Sequence, residues 1–359
     1  MNEECLALTT YFGERDRTEE RLLGDELLDL YGEHGLRASV LLRGSEGFGR
    51  LHHLHTDRLL TLSEDLPVVS IAVDRRERVE SVLAEVLSIK RRGLVTLERA
   101  RLLSGEDVAS ARLGRELHAA TKLTVYVGRR ERVGRAPAFT AVTDLLRRHG
   151  VAGATVLLGV DGTRGGRRYR ARAFARNAEV PMMILAVGRG ASIARALQEL
   201  AGMLREPLLT LERVQLCKRD GVLLARPHEL PSVDARGLSL WQKLTVYSSQ
   251  AATHEGHPIN LQIIRRLRES DAAGATSVRG VWGYHGGHRP HGERLLQVRR
   301  HVPVVTTVID TPERAARAFD AIDELTRVHG LVTSEMVPAA AAISAEERHG
   351  GTRLAAHDY

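Results

Sequence analysis

The chain has 359 residues, 43% of them apolar and 27% charged, with a formal charge of +7 at pH 7; these are the proportions of a soluble globular protein large enough for two or three domains. No apolar run reaches the roughly 20 residues that cross a bilayer, and the start Met1-Asn2-Glu3-Glu4 is acidic where a signal peptide is basic, so a cytoplasmic protein is expected. The positive charge comes from 48 arginines against four lysines, interleaved with Asp and Glu, which reads as codon bias rather than a nucleic-acid surface; Cys5 and Cys217 stand at non-equivalent places and suggest neither a disulfide nor a metal site.

In chain order, the β-prone run Leu6 to Phe12 opens the pattern. Glu19 to His34 follows as an amphipathic helix through Leu22, Leu23, Leu27, Leu28 and Leu30, stopped at His34-Gly35. Ser39 to Arg43 is a second strand. Leu59 to Leu62 and Val68 to Val73 bracket Pro67 and predict a third strand with its proline at an edge or bulge. Asp74 to Arg91, apolar at Val79, Val82, Leu83, Val86, Leu87 and Ile89, is a second helix, and Leu94 to Leu103 a last strand. Ser104 to Ala120 links onward, with a short helix through Val108, Leu113 and Leu117 as one reading.

The pattern then repeats twice. Leu8-Thr9-Thr10-Tyr11-Phe12 returns as Leu123-Thr124-Val125-Tyr126-Val127 and Leu244-Thr245-Val246-Tyr247-Ser248. The closing Val95-Thr96-Leu97-Glu98 returns as Leu209-Thr210-Leu211-Glu212 and Val332-Thr333-Ser334-Glu335. Tyr11, Tyr126 and Tyr247 are 115 and 121 residues apart, as are Gly44, Gly159 and Gly280; Pro67, Pro181 and Pro303 keep nearly the same step. Three units are therefore expected at 1–104, 121–217 and 241–338, joined by linkers 105–120 and 218–240. The second linker, with Pro227, Pro231 and Gly237, reads as an ordered strap or a flexible connection. The tail 339–359, Ala-rich then polar, is expected to be frayed or loosely helical.

Strand, helix, strand, strand, helix, strand is the βαββαβ order of a ferredoxin-like α+β unit, whose two helices cover one sheet face only. The uncovered apolar faces of three such sheets predict a pseudo-three-fold assembly with sheets inward and helices outward.

The connection after the second strand is where the copies differ most. In copy one, Arg43, Gly44, Glu46, Gly47, Phe48 and Gly49 precede His55 and Arg58; in copy three, Arg279, Gly280, Trp282, Gly283 and Tyr284 take the same place. Closely spaced glycines let backbone N–H groups approach an anion, and adjacent arginines add charge, so these residues, with Lys90 and Arg91 from the helix end, form a candidate site for a phosphate-bearing ligand. His285, His288 and His291 offer an alternative zinc or nickel site. Copy two carries Arg164, Arg167, Arg168, Arg170 and Arg172 there, either a basic patch for an acidic partner or a decayed site. The catalytic signatures of P-loop, nucleophile-elbow and zinc-protease enzymes are missing, so no enzymatic activity is expected.

The run VLLRGSEGFG from Val40, HTDRLLTLSEDLPVV to Val69 and GLVTLE at Gly93 to Glu98 resembles the bacterial family known as domain of unknown function 190, whose members are similar to PII signalling proteins. Copy three (RGVWGYHG, HVPVV) resembles a variant of it, and copy two matches in its strands and its LLTLE. The resemblance implies a trimer of ferredoxin-like units, here supplied by one chain as a PII-like pseudo-trimer. It also implies ligand sites in the clefts between units, a mobile reporter loop after the second strand, and a membrane transporter as partner. The chain departs from PII proteins in that Lys90-Arg91-Arg92-Gly93 replaces their glycine-and-lysine phosphate loop in copy one, and Arg205-Glu206-Pro207 and Val328-His329-Gly330 replace it in the other copies. The expected protein is thus a non-enzymatic, monomeric or dimeric sensor of an adenine nucleotide or similar small anion. The alternatives are a metal-binding variant on the copy-three histidines and a scaffold whose sites have decayed.

Overall fold

The computed structural model describes residues 4–49, 54–56, 65–105, 107–108, 119–169, 180–285, 291–292, 302–344 and 347–357. Each repeat contains the expected order. In repeat 1 it runs Glu4–Gly13, helix Leu23–Glu33, Ala38–Arg43, Pro67–Arg75, helix Arg76–Ile89 and Gly93–Ser104. Repeat 2 gives Ala120–Gly128, helix Ala138–Arg148, Gly153–Leu158, Pro181–Arg189, helix Gly190–Met203 and Leu208–Arg219. Repeat 3 gives Trp241–Ser249, helix Ile259–Glu269, Ala275–Arg279, Pro303–Asp310, helix Pro312–Leu325 and Leu331–Val337. Within each repeat the sheet is antiparallel, ordered last, first, third, second strand. This is the ferredoxin-like arrangement.

Alternation along the opening strand sets the two sides of the sheet. Leu6, Leu8 and Phe12 pack with Leu27, Leu28 and Tyr31 of the first helix and Val79, Val82 and Val86 of the second. Ala7 and Tyr11 face the other way, into a cluster shared with Tyr126 and Met183 of repeat 2 and Tyr247 and Val305 of repeat 3. The sheets thus face inward and the helices outward. Two local expectations shift. The first helix begins at Leu23 rather than Glu19, because residues 17 to 22 turn back through an Arg17–Leu22 bridge. Pro67 opens the third strand instead of interrupting it, where its missing N–H costs nothing to the ladder. Leu59 to Leu62, Leu113 and Leu117 lie outside the described residues.

The repeats are stitched together at both edges of every sheet. After the second strand, each repeat sends a short bridging strand onto the second strand of a neighbour: Glu46–Phe48 pairs with Ala275–Ser277, Asp161–Arg164 with Ala38–Leu41, and Trp282–His285 with Gly153–Val156. Repeat 1 so reaches repeat 3, repeat 3 reaches repeat 2, and repeat 2 reaches repeat 1. At the opposite edge the last strands overlap in series, Arg101–Ser104 against Leu208–Leu211 and Gln215–Arg219 against Leu331–Ser334.

The tail closes the ring. Far from fraying, Ala339–Ile343 is a buried strand paired with Gly93–Leu97 of repeat 1, and Arg348–Gly351 folds back on it as a hairpin. Alanine is needed here for its size, since Ala339, Ala340 and Ala341 are at most 2% exposed. The second linker is an ordered strap. Asp234 accepts the N–H groups of Arg236 and Leu238 and, from the tail, of Ala356. Although burial opposes ionisation, these donors and the Arg236 guanidinium hold its carboxyl well below the usual range.

The glycines after each second strand belong to this stitching. Gly44, Gly159 and Gly280 donate their N–H to the carbonyls of Pro67, Pro181 and Pro303, while the next residues, Ser45, Val160 and Val281, donate to Ser277, Leu41 and Val156 of the neighbouring repeat. A Cβ on Gly162 would lie 2.3 Å from the Ser39 carbonyl oxygen, and one on Gly47 2.7 Å from that of Ala275. Substituting Gly162→Ala should therefore destabilise the protein by about 2–3 kcal/mol in urea titration, the usual cost of overpacking. Gly49→Ala should be nearly neutral, because nothing lies within 4 Å of its would-be Cβ.

Candidate functional site

The candidate ligand residues of copies one and three divide between joint and surface. Phe48 is buried in the core of repeat 3, and Tyr284 in the core of repeat 2, where its hydroxyl donates to the Val151 carbonyl at 3.1 Å. Trp282 packs against that same repeat 2 core. Glu46 is fully buried, accepting from the Asn260 amide and lying 3.8 Å from the Arg279 guanidinium. Gly44, Gly47, Gly280 and Gly283 occupy the close approaches of the joint, and His55 pairs with Gly47 behind it. Arg43 and Arg91 are exposed and paired with Glu14 and Glu19. Lys90 is turned inward: its ammonium donates to the Tyr11 carbonyl at 2.8 Å and sits 5.1 Å from the Phe12 ring. Gly49 follows Phe48 at the end of the described segment. Arg58 lies outside the described residues. Of the metal alternative, His285 pairs with Gly153 and the His291 backbone with Gly283, while His288 lies outside the described residues.

Copy two, the least regular by sequence, forms the open cleft. Ala38 of repeat 1 and Tyr126, Val127, Gly128, Thr163, Arg164, Tyr169 and Pro181 of repeat 2 line a small open depression at the boundary of the two repeats. Arg164 reaches the Glu206 carbonyl at 2.7 Å and the Glu131 carboxylate at 3.4 Å, and Arg129 and Arg130 follow Gly128 on the exposed lip. Arg168 acts differently. It bridges Asp161 of its own loop to Asp25 and Asp29 on the first helix of repeat 1. Where repeats 1 and 3 plug an aromatic ring into their neighbour, repeat 2 has Thr163, and this clamp secures the joint instead.

A second polar centre lies on the pseudo-three-fold axis. Opposite each other across the first and last strands stand Lys122 and Glu212, Lys243 and Glu335, and Ala7 and Glu98. All five charged groups are buried. Lys122 binds Glu212 at 2.7 Å and Glu335 at 2.6 Å; Lys243 binds Glu335 at 3.0 Å and also Glu98. One oxygen from each of the three carboxylates lies within 4.8 Å of the others, a group capable of holding a cation. Burial works against ionised lysine, but the carboxylates overcome it and raise both lysines above their ordinary value. Glu335, touched by both ammonium groups, is held low against burial, whereas burial and the neighbouring carboxylates push Glu212 up. The Glu residues close the repeat pattern and the lysines open it, yet their meeting was missed. The available signal was the rarity of lysine: Lys90, Lys122, Lys218 and Lys243 are the chain's four, and each is at most 7% exposed.

The sequence profile of the DUF190 family, described as "Uncharacterized ACR, COG1993", matches this chain three times, over residues 5–102, 120–216 and 241–339. Two proteins from Aquifex aeolicus (strain VF5), both titled "UPF0166 protein", are similar to it. One is 31% identical over 94 residues, covering 26% of this chain and 88% of the relative; the other is 33% identical over 85 residues, covering 24% and 88%. Among solved structures, an aspartate kinase from Synechocystis aligns at 10% identity with a TM-score of 0.27, over 95% of this chain and 45% of that one.

Burial lowers the Lys90 ammonium to about 7. Unfolded lysine titrates near 10.4, so between these values the unfolded chain binds a proton that the native one lacks, and stability rises with pH. Relative to Lys90→Met, the wild type should gain stability as pH increases from 7 to 10, read from urea midpoints along a pH series. A constant difference would place the Lys90 charge in the native state.

Proposed function

Because the chain belongs to the DUF190 family, with three copies of its unit in one polypeptide, we propose that it is a PII-like signalling protein that senses a phosphate-bearing small molecule at an inter-repeat cleft, without catalysing a reaction. The observation that carries this reading is the open depression between repeats 1 and 2, where Arg164 and Tyr169 of repeat 2 meet Ala38 of repeat 1. Arg164, Arg129 and Arg130 supply charge for phosphate oxygens, and Tyr169 supplies a ring against which a base can lie. An adenine nucleotide combines both features.

Arg164 also gives a route for the signal. It belongs to the bridging strand Asp161–Arg164 and is tied to Glu131 and the Glu206 carbonyl. A phosphate that draws its guanidinium away frees the bridging strand from Glu131 and Glu206 of its own repeat, next to where it pairs with repeat 1, and the changed surface is what a partner reads. A cytoplasmic face of a membrane transporter is the partner implied by the resemblance to PII proteins, with this protein acting as a monomer whose ring is already complete.

Calorimetry with mono-, di-, tri- and cyclic adenine nucleotides tests the reading. At least one should bind more tightly than about 1 mM, a level worth only ~4 kcal/mol, and be recovered unchanged. Added salt should weaken it. Arg164→Ala should weaken it roughly ten- to a hundredfold, the worth of one charge-assisted hydrogen bond, while leaving the unfolding midpoint within a few degrees of the wild type. If no member of the panel binds, a scaffold role replaces the sensor.

A further inference from the structure

The axial cluster is one cation short. Lys122 links Glu212 of its own repeat to Glu335 of repeat 3, and Lys243 links Glu335 of its own repeat to Glu98 of repeat 1. The third link, from the opening strand of repeat 1 to Glu98 and Glu212, would come from residue 7, which is alanine and pairs directly with Glu98. Glu98 and Glu212 therefore stand beside each other with one ammonium contact apiece, while Glu335 has two. Three carboxylates and two ammonium groups leave one negative charge in a buried site, a costly state unless something compensates it.

An independent observation points to the same place. The Thr96 and Thr210 hydroxyls donate to the Oε1 atoms of Glu98 and Glu212 at 3.2 and 3.4 Å. Thr333 holds the equivalent position, across the sheet from Thr245 and on the axial side two residues before Glu335. It is fully buried, yet its Oγ1 and the Glu335 Oε1 are without a hydrogen-bond partner among the described residues. Oxygens left without donors, facing a site of net negative charge, are what a cation satisfies.

We propose that a monovalent cation, potassium or ammonium in size, occupies the axis among Glu98, Glu212 and Glu335, beside Ala7, where a third lysine ammonium would complete the ring. Charge selects it: one positive charge brings the cluster to neutrality, whereas a divalent ion would overshoot and gives up its water reluctantly. Size agrees. Carboxylate oxygens within 4.8 Å of one another have a common centre no more than about 2.8 Å from each, the length of an ammonium–carboxylate contact. The site is separate from the cleft of the proposed sensor and stands or falls without it.

The test uses the full chain at fixed pH and ionic strength, comparing unfolding midpoints in the chlorides of lithium, sodium, potassium, ammonium and choline. Binding to the native state alone raises the midpoint, so potassium or ammonium should exceed choline, which is too large for the site, by about 2 °C or more. Ala7→Lys should abolish the difference between salts and raise the choline midpoint. Glu212→Gln, which makes the cluster neutral without a new cation, should abolish the difference as well, and serves if the lysine variant fails to fold. Equal wild-type midpoints in choline and in every small cation would overturn the proposal, including the case where the midpoint follows pH alone and a shared proton does the compensating. A salt preference unchanged in both variants would overturn it too.

Discussion

The second strand of every repeat is an edge that cannot stand alone. Its outward N–H and C=O groups would face water or a stranger's strand, and the protein covers them with a bridging strand lent by a neighbour. Because each repeat lends one strand and borrows one, no pair of repeats is complete without the third. The glycines and prolines at the joint follow from that requirement. Backbones at pairing distance leave no room for a Cβ at Gly47 or Gly162, and Pro67 and Pro181 sit against those glycines. The aromatic plugs Phe48 and Tyr284 and the Arg168 clamp then fix how far each strand is inserted.

The axial charges make sense only against this ring. Buried ion pairs are poor sources of net stability, since desolvation consumes most of the attraction, but a wrong pairing leaves a naked charge and is strongly disfavoured. Lys122 and Lys243 each reach a carboxylate of another repeat, so sliding one last strand against its neighbour by two residues would break the set. Greasy packing around Met183, Val305 and Leu331 tolerates such a slip far better. The ionic core thus acts as a register pin for an assembly whose sheets are otherwise nearly interchangeable.

Period and alternation made the three units, their strand order and the inward-facing sheets legible, because burial imposes a repeat of 2 or 3.6 on any sequence that folds this way. The glycines were legible as special but not as to purpose: an anion nest and a backbone-to-backbone approach both demand the absence of a side chain, and only the neighbour's position tells them apart. Lys90 reads as a surface cation beside Arg91 and Arg92 until the chain turns it beneath Phe12. Ala339 to Ala342 carry no pattern that separates a frayed end from a strand too tightly packed for anything larger. The arginines of repeat 2 look alike in sequence, yet Arg164 lines the cleft and Arg168 is locked on three carboxylates. That division depends on Asp25 and Asp29, more than a hundred residues away along the chain.

The strand Ala339–Ile343 pairs with Gly93–Leu97, so a segment made after repeat 3 fills a gap left in repeat 1. During translation repeat 1 folds with this edge exposed, and the edge stays exposed while repeats 2 and 3 are made. Domains fold as they emerge, and an open edge is the kind of surface on which nascent chains misassociate. The wait ends when the hairpin of Ala339–Ile343 and Arg348–Gly351 arrives to seal it. A stop codon after Pro338 would spare all three family units almost entirely and still produce a molecule permanently caught in that unsealed state, ready to accept a strand from another chain.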